Sequence, residues 1–175
     1  MDTNDLVEEL NELIQLDHDA SKSYEQALKR IEENDVAVRA DLDSFLRDHL
    51  RHIGELREVI EAYGGAPMEP GRDLKGVLLE GMTKLRSVTG TLGALKAMRM
   101  NEKLTNRSYE RASGLDLPLQ AREVVLANLA DERRHLAVIE AHIVRLGADL
   151  DDEGDAEGAP KVVPPPEDLH TDVRI

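Results

Sequence analysis

An all-α fold, four long helices closed into a bundle with one long crossover between the second and third, is what this sequence predicts. Three observations carry that expectation. Apolar residues recur every three or four positions over four long segments, the period of a helix with one buried face. No segment shows the strict alternation of a half-buried strand. An ordered set of chemistry-bearing residues also occurs twice: Asp17, Tyr24, His49 and His52 in one half, then Glu102, Tyr109, Glu132 and His135 in the other. The two copies are offset by 85 residues (17 to 102, 24 to 109) and then by 83 (49 to 132, 52 to 135), as two equivalent helical hairpins would be.

The first helix is read from Leu6, Leu10, Leu13, Asp17, Ala20, Tyr24, Leu28 and Ile31, an amphipathic stripe with a carboxylate set into it. Asn34-Asp35 interrupts that run and can cap the second helix, whose stripe is Leu42, Phe45, His49, His52, Leu56, Val59 and Tyr63. Gly64-Gly65 and Pro67 end it. The connection holds Pro67, Pro70 and Gly71 and then a short helix from about Asp73 to Val88, weakened by Gly76 and Gly81. The third long helix is expected from near Thr91 to Ser113, with Leu95, Met98, Glu102, Thr105, Tyr109 and Ala112 in line. Gly114 and Pro118 mark a turn, and the fourth helix runs to Leu146 before Gly147, carrying Val125, Asn128, Glu132, His135, Ile139 and His142. Residues 1–148 are thus expected to form one bundle.

From residue 149 the character changes. Residues 151–175 carry eight acidic and two basic residues and three consecutive prolines, Pro164 to Pro166, with almost no apolar periodicity. Such a stretch buries too little to offset its ordering entropy, so 149–175 reads as a disordered acidic tail. Its mildly apolar end, Leu169 to Ile175, is either a frayed terminus or a peptide that docks on a protein partner.

Composition excludes whole classes of function. A chain of 175 residues suits a single domain with a substantial core. Without cysteine there are no disulfides, thiolate metal sites or cysteine nucleophiles. A formal charge of −14 with 2% aromatic residues argues against nucleic acid, which asks for basic patches or stacking platforms. No uncharged apolar run is long enough to span a membrane and the N-terminus lacks a signal pattern, so a soluble cytoplasmic protein is expected.

The repeat carries the chemistry. A seven-residue step keeps two side chains on one stripe, and an i, i+3 pair shares a face. Asp17, Glu102 and Glu132 therefore sit on apolar stripes with His49, His52 and His135 at matching levels. Three carboxylates brought together in a bundle interior repel one another unless cations neutralise them, and a mixed carboxylate and imidazole set suits iron, manganese or zinc. The competing account is a buried network of histidine–carboxylate pairs without metal. Repetition of the spacing in both halves favours metal.

On these residues the chain resembles the ferritin-like superfamily, in which bacterioferritins, rubrerythrins and ferritins share a di-iron carboxylate centre. That pattern takes one Glu from each of the first and third helices and Glu-x-x-His from each of the second and fourth. Glu102 and Glu132-x-x-His135 match it outright; Asp17 stands for the first Glu, and His49-x-x-His52 for the first Glu-x-x-His. Tyr24 and Tyr109 stand where the superfamily has tyrosines partnering the carboxylates. The resemblance covers roughly residues 5–147 and implies two metal ions, iron first, with Asp17, His52, Glu102 and His135 as terminal ligands and Glu132 as a bridge. It implies iron oxidation with oxygen or peroxide, a role in stress protection, and a homodimer or larger homo-oligomer.

Two departures bear on this. Aspartate at 17 is one methylene shorter than glutamate. His49 replaces a bridging carboxylate, and a neutral imidazole has one free lone pair, so it cannot bridge. Asp48 could substitute, but is read as a solvated helix residue. His18 is read as a boundary residue, His142 as a hydrogen-bonded core or rim histidine, Tyr63 as packing and His170 as exposed. The alternative to a metal protein is an oligomeric helical interaction protein with a degenerate site.

Overall fold

The computed structural model describes residues 1–69 and 89–150. The described residues hold four helices and no strand: α1 (Thr3–Leu28), α2 (Val36–Ala62), α3 (Gly90–Ser113) and α4 (Leu119–Arg145). The short helix expected at 73–88 and the tail from 151 lie outside the described residues.

Helix ends follow local chemistry. Asp2 caps α1, its side chain accepting from Asp5 N–H at 2.9 Å. The apolar stripe of α1 extends to Ile31, yet the helix stops at Leu28. Arg39 of α2 explains the early stop, since its guanidinium donates to the carbonyls of Leu28 and Ile31 at 3.1 and 2.7 Å, satisfying groups that a continued helix would use. Ile31 remains buried beyond the helix end. Asp35 occupies the N-cap position of α2, but its side chain makes no capping bond. Gly64 and Gly147 close α2 and α4 with φ of 76° and 82°, a left-handed turn that glycine adopts without strain.

α1 packs on α2 and α3 on α4 as two antiparallel hairpins; across the bundle α1 meets α3 and α2 meets α4, while the backbones of the diagonal pairs stay apart and meet only through interior side chains such as His49 and Glu102. α2 ends beside the start of α1, whereas α3 begins beside the end of α1. The end of α2 and the start of α3 therefore lie at opposite ends of the bundle, about 40 Å apart for a 27-residue helix. This is the crossover that the sequence predicts.

Two apolar cores fill the two ends. One gathers Leu6, Leu10, Leu13, Leu56, Ile60 and Val125; the other gathers Ile31, Val38, Leu42, Leu95, Met98 and Ile139. Between them the interior is polar. No helix among the described residues is long and apolar enough to cross a membrane.

Candidate metal centre

All six sequence-predicted residues meet in that middle layer. α1 contributes Asp17, α2 His49 and His52, α3 Glu102, and α4 Glu132 and His135; every one has no solvent exposure. The helical period explains the convergence: Asp17 and Tyr24 stand two turns apart on the inner stripe of α1, and Glu102 and Tyr109 do the same on α3. His49/His52 and Glu132/His135 face inward one turn apart on the opposing pair.

The two tyrosines cross the bundle. Tyr24 donates to Glu102 Oε1 at 2.6 Å, and Tyr109 donates to Asp17 Oδ2 at 2.6 Å. Each phenol thus ties its own helix to the carboxylate of the helix opposite, a reciprocal pair of bonds. Burial and the adjacent carboxylates push both phenols well above their ordinary pKa, so they remain donors.

His49 lies at the centre. Its Nδ1 is 3.0 Å from Asp17 Oδ1 and 3.4 Å from Glu132 Oε1, and its Nε2 is 3.6 Å from Glu102 Oε1. His52 Nδ1 lies 3.4 Å from Glu132 Oε1 and 3.7 Å from Asp17 Oδ1, while His135 Nδ1 lies 3.7 Å from Glu102 Oε2. Two overlapping groups result, each compact enough to hold an ion: Asp17, His49, His52 and Glu132, and then His49, Glu102, Glu132 and His135. His49 Nε2, His52 Nδ1, His135 Nδ1, Glu102 Oε2 and both Glu132 oxygens are buried without a hydrogen-bond partner. Buried polar atoms left unpaired cost about 1–3 kcal/mol each, and more when charged. Six of them gathered in one interior could hold a cation, and the donor set fits iron, manganese or zinc.

The charges balance accordingly. Burial pushes the Asp17 carboxyl up, but hydrogen bonds and positive charge from His49 and His52 outweigh it and hold Asp17 below the usual range. Burial opposes charge on His49, yet Glu132, Asp17 and Glu102 raise its pKa well above the ordinary value. His52 is opposed by burial and raised by Asp17 and Glu132 to about 9. His135 goes the other way, lowered by burial to about 4, and burial with the Glu102 charge raises Glu132. Without metal, imidazolium protons do the neutralising that cations would do.

Behind the histidines stands a pair of carboxylates. Asp48 Oδ2 on α2 lies 3.1 Å from His135 Nε2 on α4, and Asp131 Oδ2 on α4 lies 3.4 Å from His52 Nε2 on α2. Arg134 donates to Asp48 and Asp131, each at 2.8 Å, and Arg51 donates to Asp131. Asp48 is therefore neither a solvated helix residue nor a substitute bridge; its side chain is 16% exposed and engaged with His135 and Arg134. Asp131 was not foreseen, although a signal exists: Asp-x-x-Arg-His occurs as Asp48–His52 and again as Asp131–His135. His142 bonds Asp41 at 2.7 Å at the rim and stands apart from the centre, His18 is a boundary residue beside Asp19, and Tyr63 packs against the first core.

A crossover four-helix bundle of this kind has the ferritin-like fold, and the buried carboxylate–histidine group at mid-length fits a di-metal site. The chain belongs to the family described as domain of unknown function DUF2383, whose model matches residues 5–114. That span carries Asp17, His49, His52 and Glu102 but ends before α4. Solved structures cover the remainder of the bundle. A dodecameric thioferritin from Bacteroides fragilis, a bacterioferritin-related protein, matches with a TM-score of 0.70 at 13% identity, over 84% of this chain and 89% of that one. A variant of Mycobacterium smegmatis Dps1 gives 0.69 at 13% identity, over 81% and 96%. A ferritin-like diiron-carboxylate protein from Bacillus anthracis gives 0.62 at 21% identity, over 82% and 99%. At these identities the likeness is one of fold. No curated protein matches the chain in sequence.

Proposed function

We propose that this protein holds two metal ions, iron in the first instance, in the centre formed by Asp17, His49, His52, Glu102, Glu132 and His135. Its activity on this reading is ferroxidase-type oxidation of ferrous iron by oxygen or peroxide, serving protection against oxidative stress. The single observation that carries the proposal is the set of six buried, unpartnered ligand atoms converging on one interior. A metal-free interaction protein would have no reason to keep them, since apolar side chains of the same volume cost less there.

Bound iron would supply the one-electron redox chemistry that no side chain of this protein provides. The protein's own contribution is positional. Tyr24 and Tyr109 each hold one oxygen of Glu102 and Asp17, leaving Glu102 Oε2 free and Asp17 Oδ1 against His49, and Asp48 and Asp131 turn the Nδ1 atoms of His135 and His52 toward the same interior. Leu and Ile cores on both sides keep bulk water from the layer.

Self-association fits the same reading. The Bacteroides fragilis neighbour is dodecameric. Here Val36, Leu50, Leu119 and Val144 are apolar side chains more than half exposed, each available for contact with a second copy. Metal analysis by mass spectrometry of protein purified without chelators tests the central claim, with ferrous oxidation followed in parallel. Two equivalents of iron per chain are expected, and protein that stays metal-free after incubation with ferrous, manganous and zinc ions refutes it.

A further inference from the structure

We infer that the two metal positions are unequal: His49 serves the position of Glu102 and His135, which fills first, and the Asp17–His52 position is left open. The inference rests on the proposed metal-binding function and assigns roles within it.

The argument begins at Asp17. Its Oδ2 accepts from Tyr109 at 2.6 Å and its Oδ1 lies 3.0 Å from His49 Nδ1. A carboxylate that only accepts on both oxygens requires the hydrogen to sit on His49 Nδ1. Once a metal ion displaces the other ring proton, the neutral ring has a single lone pair, on Nε2. That atom is fully buried, has no hydrogen-bond partner and lies on the Glu102 side, 3.6 Å from Oε1. His49 is within reach of both ligand groups, but one lone pair can serve only one of them.

The resulting sets differ. Glu102, Glu132, His49 and His135 supply two carboxylates and two imidazoles, which neutralise a divalent ion and complete a four-coordinate shell. Asp17, His52 and the shared Glu132 supply three side chains, one of them the shorter aspartate. Fewer ligands mean weaker binding and coordination positions free for small molecules, the arrangement that separates reactive from closed sites.

The walls differ in the same sense. Phe45 stacks on His135 with ring centroids 4.2 Å apart, giving that side an apolar cover. The residue 83 positions later, at the equivalent place in the second hairpin, is Asn128. Its Nδ2 lies 3.5 Å from Tyr109 Oη and its Oδ1 is buried without a partner. One position is thus walled by a phenyl ring, while the phenol that holds Asp17 borders an amide with a free acceptor.

Cobalt(II) titration of the full-length metal-free protein, followed by visible absorption and calorimetry, tests this. Wild type should take a first equivalent tightly, with the intense absorption of four-coordinate cobalt, and a second at least about tenfold more weakly with faint absorption. Glu102→Gln and His49→Gln should remove the intense first step, whereas Asp17→Asn should spare it and remove the second. Two indistinguishable equivalents, or loss of the first step in Asp17→Asn alone, overturns the assignment while leaving metal binding intact. No cobalt bound by folded wild type instead refutes the underlying function. Circular dichroism of each variant separates lost ligands from lost fold, and the contrast between Glu102→Gln and Asp17→Asn decides the matter even if His49→Gln unfolds.

Discussion

Asp48 on α2 fixes the ring of His135 on α4 by a 3.1 Å contact to Nε2, which leaves Nδ1 as the nitrogen facing the centre. Asp131 holds His52 in the same way from the other side. Because each carboxylate sits on one helix and its histidine on the other, orientation of the ligands and docking of α2 on α4 are a single structural event. Burial pushes both aspartates up, but the bond to His135 with Arg134 and Arg51 at Asp48, and the bond to His52 with Arg51 and Arg134 at Asp131, outweigh it and hold both carboxyls below the usual range.

Replacing Asp48 by Asn keeps the shape but weakens the acceptor that orients His135. Supporting carboxylates of this kind are worth roughly 10- to 100-fold in metal affinity. We expect Asp48→Asn and Asp131→Asn each to lower affinity by about that factor in a competition titration against a chromophoric chelator. The metal-free melting temperature should move little by comparison. Unchanged affinity would show that the aspartates serve helix docking alone.

Tyr24→Phe removes a buried donor from Glu102 and leaves a carboxylate oxygen unpaired. A hydrogen bond to a charged group contributes about 1.5–3 kcal/mol. Urea unfolding of metal-free Tyr24→Phe should therefore show a stability loss of that order. Metal should restore part of it, since a cation can take over the oxygen that lost its phenol. Tyr109→Phe should behave alike at Asp17, with a larger loss if its contact with Asn128 also contributes.

The pH dependence of the metal-free protein follows from two histidines shifted in opposite directions. His52 is raised to about 9, so its stabilisation is complete below its unfolded pKa of about 6.5 and is lost as pH rises through 9. His135 is lowered to about 4, so its neutral form stabilises fully above about 6.5 and that contribution is lost as pH falls through 4. Melting temperature should peak near pH 6.5 and fall on both sides, each limb worth on the order of 3 kcal/mol or less. Loading with metal displaces the His52 proton, so affinity should rise toward pH 9 and the alkaline limb should flatten. A metal-free profile that keeps rising above pH 8 would contradict the charge arrangement.

How much was legible in the sequence depends on the distance over which each feature is encoded. Helix periodicity is local, so the four helices and the inward positions of Asp17, Glu102 and Glu132 could be read from spacing. The repeat then linked the halves, whereas the crossing of each tyrosine to the carboxylate of the opposite helix became visible only in the structure. Asp48 escaped because it stands off the apolar stripe of α2, while its partners His135 and Arg134 are more than 80 residues away. Asp131 escaped for the same reason. The end of α1 at Leu28 was hidden likewise, being set by Arg39 of the next helix and not by the stripe itself.

The last prediction returns to His49, where the chain departs from a carboxylate-rich centre. His49→Glu adds a fourth carboxylate among Asp17, Glu102 and Glu132 and removes the imidazolium that offsets them in the metal-free state. All of these groups are buried, so the metal-free variant should lose roughly 3–5 kcal/mol of stability, the usual cost of an uncompensated buried charge. With ferrous iron present under anaerobic conditions the sign reverses, because glutamate has two oxygens and can reach both positions where imidazole serves one. Stabilisation by a ligand grows with its concentration relative to Kd, so iron should raise the melting temperature of the variant by more than that of wild type. Two equal equivalents should replace the stepped binding of wild type, and ferrous oxidation should be faster. Melting curves of both proteins with and without ferrous iron decide the point, and destabilisation that iron fails to reverse would leave a metal-free helical protein as the better account.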